Sequence, residues 1–91
     1  MIKPEMHPRE AERLKELEEF SILDSMPEVE YDDITELASF ICGTPISLVN
    51  LIDSNRQWFK SHFGIPFTEA PRELGMCSHA INHPGSIFIV P

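Results

Sequence analysis

The sequence predicts an α+β fold, an antiparallel sheet flanked by helices. The first 42 residues carry apolar side chains at helical spacing, in "RLKELEEF" and "YDDITELASFIC". The pattern then changes to short strand-like runs, "PISLVNLID" and "QWFKSHFG", joined by the turn chemistry of "DSNR". With 91 residues there is room for one small domain and no second core.

The elements follow in chain order. Residues 1–7 are expected to be disordered, and the domain proper to occupy 8–91. Residues 8–20, "PREAERLKELEEF", predict a helix, with Pro8 in its first turn and Glu10 and Glu12 near the positive end of its dipole. Leu14 and Leu17 give it only a thin apolar stripe, suited to a surface position or to a partner helix. "SILDSMPEVE" connects, with Pro27 biasing Met26 away from helical geometry. A second helix over about 31–42 places Tyr31, Ile34, Leu37, Ala38 and Ile41 on one face, which is expected to pack, and Gly43 supplies the stop.

A hairpin over about 45–64 comes next. Residues 46–52 are nearly continuous in apolar or β-prone side chains, as in a central strand covered on both faces. Strict alternation in the next strand puts Trp58, Lys60 and His62 on one face and Phe59, Ser61 and Phe63 on the other. Gly64 to Glu73, interrupted by Pro66 and Pro71, reads as a loop. A short helix over about 75–82 and a buried strand over about 86–90 complete the reading. So few strands of such hydrophobicity leave open edges, so a chain that belongs to a larger domain or pairs across copies is expected.

The formal charge of −8 argues against binding to nucleic acid or to an anionic membrane surface. No run of signal-peptide or membrane-span length is present, which makes a cytoplasmic location the expectation. Cys42 and Cys77 form neither a disulfide framework nor a paired zinc motif, and free thiols are expected.

The ordered set "RLKELEEFSILDSMPE", "YDDITELASFICGTPISLVNLIDSNRQWFKSHFGIP", "PRELGMCSHAI" and "IFIVP" resembles the GAF domain family. It is most similar to the GAF domains at the N-terminus of bacterial sensor histidine kinases and diguanylate cyclases. The resemblance runs from about residue 9 to residue 91, and "DSNRQWFKS" followed by "CSHAI" is its most specific part. It implies the N-terminal part of such a domain, truncated after a third strand, since the family's later strands and closing helix have no counterpart here. It also implies a small-molecule site between the sheet and the wall formed by Gly64 to Asn82.

On that wall, Cys77 and His79 admit several readings. Phytochrome-like GAF domains attach a linear tetrapyrrole to a cysteine beside a histidine, but Ser78 separates the pair here and most of that motif is missing. His79 and His83 have the i, i+4 spacing of metal or haem ligands, which Pro84 disrupts, and no carboxylate motif completes a site. Thiol chemistry, as a redox sensor or as in the GAF-fold free-methionine-sulfoxide reductases, needs an activated Cys77. Against these stands the structural reading, in which Cys77 packs with Ala80 and Ile81 as a small hydrophobe.

Trp58 and Phe59 are first of all packing side chains, and an Asn50 amide inside an apolar strand needs a partner, either a neighbouring loop or a ligand. Arg56 and Arg72 are placed to meet an acidic ligand or simply to be solvated. The leading expectation is a cytoplasmic sensory module that catalyses nothing, binds an unidentified small molecule and signals to a kinase or cyclase output domain. Its candidate ligand-binding residues are Asn50, Trp58, His62, Cys77 and His79, with no catalytic or metal residue and no cofactor assigned. A homo-oligomer without nucleic-acid or membrane contact is expected. The alternatives are a ligand-free dimerisation module, or a thiol sensor or enzyme using Cys77.

Overall fold

The computed structural model describes residues 3–87 and 89. Helix α1 (Glu10–Glu19) and helix α2 (Val29–Cys42) lead into strands β1 (Ser47–Ile52), β2 (Arg56–Phe63) and β3 (Glu69–Pro71), then a single 3-10 turn at Arg72–Leu74 and helix α3 (Met76–Ala80). The strands form one antiparallel sheet in the order β1-β2-β3. Helix α2 packs on β1 and β2, and α3 approaches β1. The fold is α+β, an antiparallel sheet with helices on either side.

The seating of α2 differs from the expected one. Its buried residues are Thr35 and Ser39, while Ile34, Leu37 and Ile41 are more than half exposed. The reason lies in β2, which offers the helix a hydroxyl. Ser61 Oγ donates to Asp32 Oδ1 at 2.6 Å and lies 2.9 Å from Thr35 Oγ1. Ser39 Oγ donates to the Thr44 carbonyl just beyond the helix. Short polar side chains let helix and strand approach closely, and the buried hydroxyls satisfy one another. The helix stops at Gly43, whose φ of +65° is the left-handed conformation that glycine adopts without a Cβ penalty.

A β-bulge also corrects the simple alternation expected of β2. Val49 pairs with Ser61 but Asn50 pairs with Phe59, so Lys60 is the extra residue. Cross-strand partners share a face. Leu51 with Trp58, Val49 with Ser61, and Ser47 with Phe63 therefore lie on the α2 side. Ile52 with Gln57, Asn50 with Phe59, and Leu48 with His62 lie on the other. The bulge thus separates His62 from Trp58 and brings Ser61 and Phe63 to Trp58's face.

Within the segment expected to be a loop, Glu69–Pro71 pairs with Arg56–Trp58. A proline is tolerated there because β3 is an edge strand. Helix α3 ends at Ala80, so His79 and His83 do not share a helical face. The strand expected at about 86–90 falls partly on residues outside the described set, and Ser86, Ile87 and Ile89 are not in a strand. The apolar core is small: among the described residues, Ile52, Trp58 and Phe59 are its buried members.

Candidate functional site

Two turns and a short helix organise the sheet face turned away from α2. Gln57 is buried there, and its Nε2 donates to the Pro71 carbonyl at 2.9 Å. A carbonyl only accepts, so this contact fixes the Gln57 amide with Oε1 toward β1. Asn50 Nδ2 donates to that oxygen at 2.7 Å. The relay leaves Asn50 Oδ1 buried, with no donor among the described residues. Gly75 closes over the relay: a Cβ at that position would lie 2.2 Å from the Gln57 amide. The same face carries Phe59, whose ring packs against Phe67 at 6.1 Å between centroids, and His62, whose Nδ1 is 2.7 Å from the Ile65 carbonyl.

Helix α3 covers this region through Ser78. That side chain is fully buried, and its hydroxyl donates to the Arg72 carbonyl at 2.6 Å. Cys77 and His79 flank it, and Cys77 is a half-buried free thiol. The helix's inward position is therefore Ser78. Asn82 Oδ1, just beyond α3, is a second buried acceptor without a donor among the described residues, although its Nδ2 donates to the Glu5 carbonyl at 3.0 Å.

The five candidate residues divide. Asn50 and His62 share the face turned from α2, which α3 with Cys77 and His79 approaches at β1. Trp58 is buried on the opposite face, across from Leu51. Trp58 and His62 nonetheless both line a pocket of about 420 Å³, with Asp24, Pro27, Asp32 and Thr68.

The two arginines are engaged within the protein. Arg72 is 6% exposed and grips Glu10 of α1 through Nη1 at 2.5 Å and Nη2 at 3.2 Å. It also donates to the Asp53 carbonyl at 3.0 Å. Arg13 donates to the same carboxylate, and the hydrogen bonds from Arg13 and Arg72 hold the Glu10 carboxyl down at about 2. Arg56 holds Asp24, Asp53 and Glu69 at 2.7, 2.9 and 2.8 Å, and its hydrogen bonds keep Asp24 below its ordinary range. Lys60 is wholly buried at the bulge, bonded to Ser25 Oγ, the Met26 carbonyl and Glu28, with Tyr31 5.5 Å away. None of these cations is left over for an acidic ligand.

Sequence reasoning missed Gln57 and Ser78, and it singled out Arg72 for an acidic ligand or for solvent where its partner is Glu10. A signal for Gln57 existed: a two-sided hairpin centred on "DSNR" brings Gln57 beside Ile52 and within reach of Asn50. Arg72 and Ser78 depend on contacts that no local pattern encodes. Among the described residues no group of three or more His, Cys, Asp or Glu is arranged to hold a metal ion. No described helix is long and apolar enough to cross a membrane.

No family model matches the chain. It is similar to a cyclic di-GMP phosphodiesterase of Pseudomonas aeruginosa, with 27% identity over 81 residues. The match covers 89% of this chain and 14% of that protein's length.

Proposed function

We propose that the chain is a sensory module of GAF type within a cytoplasmic signal-transduction protein. It binds a small molecule between the sheet and α3, catalyses nothing itself, and passes the change to an output domain elsewhere in the polypeptide. The observation that carries this reading is the unsatisfied Asn50 Oδ1, buried on β1 and fixed in orientation by Gln57 and Pro71. A buried acceptor without a donor costs about 1–3 kcal/mol, which a ligand presenting an N–H or O–H there would recover.

Two further observations support it. The relative acts on cyclic di-GMP, a signalling molecule, and the matching segment is a small fraction of it, as expected of a regulatory module beside an output domain. The contacts also offer a route for the signal. Helix α3 holds the Arg72 carbonyl through Ser78, and the Arg72 guanidinium holds Glu10, so a shift of α3 is relayed to α1.

The test is native mass spectrometry of the purified chain beside a denatured control. A bound small molecule that leaves on denaturation is expected, together with its loss in Asn50→Leu. A bare wild-type chain that also shows no thermal shift against a library of cellular metabolites would overturn the reading. Mass retained on a Cys77 peptide would point instead to covalent chemistry.

A further inference from the structure

The outward face of α2 is apolar, acidic and uncovered. Ile34, Leu37 and Ile41 recur three and four residues apart, about two helical turns along one side, and Phe40 beside them is 84% exposed. Phe63, at the end of β2, forms the opposite wall of a groove of about 550 Å³ lined also by Asp33, Glu36, Leu37 and Phe40. An amphipathic helix ordinarily turns this stripe inward. Here the inward side is taken by Thr35 and Ser39, so the apolar stripe serves another surface.

Charge says which surface. Helix α2 has no basic residue in its sequence, and Glu30, Asp33 and Glu36 recur along it at intervals of three. Every arginine of the chain, with Lys3 and Lys60, is paired to carboxylates elsewhere. Among the described residues no cation pairs with Glu30, Asp33 or Glu36. A second copy of this face would bring the same three acids against themselves. A partner with apolar side chains at helical spacing and Lys or Arg on its flanks satisfies both the groove and the charge.

We propose that the groove between α2 and the end of β2 docks a basic amphipathic helix from a partner polypeptide. Leu37, Phe40 and Phe63 receive its apolar side chains, and Asp33 and Glu36 pair with its cationic flanks. This surface lies on the opposite side of the sheet from Asn50 and is independent of the ligand site.

The test uses the 91-residue chain and synthetic peptides of about 14 residues, with leucines at positions i, i+3, i+4 and i+7 and lysines elsewhere. Control peptides replace lysine by glutamate or scramble the leucine spacing. Amide-shift mapping is expected to place the lysine peptide on α2 and Phe63, with affinity falling as ionic strength rises from about 0.01 to about 0.15 M. Asp33→Lys with Glu36→Lys, and separately Leu37→Ala with Phe40→Ala, are each expected to weaken binding by about tenfold or more. These side chains are on the surface, and circular dichroism checks that the fold persists. Equal binding of the scrambled or glutamate peptide, indifference to both double substitutions, shifts confined to another face, or self-association through α2 that excludes the peptide would each overturn the proposal.

Discussion

Arg72 is nearly buried and joins α1 to the β1–β2 turn. Removing one member of a buried, hydrogen-bonded pair strands the other. Arg72→Leu is therefore expected to cost about 3 kcal/mol in a urea melt, whereas an exposed pair such as Arg9 with Glu12 should change little. The same cluster sets a pH dependence. The Glu10 carboxyl falls from its ordinary 4.5 to about 2 in the folded chain, chiefly through the hydrogen bond from Arg13 and then that from Arg72. A depressed acid stabilises fully above its unfolded value and ceases to do so as pH falls through its folded value. Stability should thus decline between about pH 4.5 and about pH 2, and Glu10→Gln should flatten that decline in melts across the window. None of this was legible in the sequence. Glu10 reads locally as a helix-dipole residue and Arg72 as a turn arginine, and only the fold brings together two residues 62 positions apart.

Among the elements, the helices and the hairpin were readable because their signals are local: the periodicity of "YDDITELASFIC", the stop at Gly43 and the turn at "DSNR". What periodicity could not show was the side of α2 that faces inward, since β2 offers a hydroxyl at Ser61 where an apolar contact was expected. Nor could it show the bulge at Lys60, which exchanges the faces of every residue after it. The short β3 escaped because Pro66 and Pro71 mark the segment as a loop, and edge pairing needs no pattern of its own. The hairpin's entry and exit supply a prediction. Gly64 has φ of +87°, and a Cβ there would lie 2.0 Å from the Pro45 carbonyl oxygen. Gly64→Ala is expected to destabilise by about 3 kcal/mol or more, while Gly85→Ala, with nothing within 4 Å, should be tolerated in the same thermal melts.

For the whole molecule, the apolar core is small and β1 pairs on one side only among the described residues. An open strand edge invites a second copy. Sedimentation is expected to show association that grows with concentration, weakened by Val49→Pro within β1. A sharp monomer at every concentration would refute that expectation. The candidate site shows the same division between what was and was not readable. Asn50 could be singled out as an amide in an apolar strand, but its orientation waits on Gln57 and Pro71. The tie between Glu10 and Arg72 also bears on the order in which the chain takes shape. Helix α1 buries no residue and is only ten residues long, so by itself it is marginal in water. On the ribosome it is the first element to emerge, yet Arg13 meets the Ile52 carbonyl only 39 residues later and Glu10 meets Arg72 only 62 residues later. The first segment made is the last to settle, and a nascent chain halted before Ile52 should leave it open to protease.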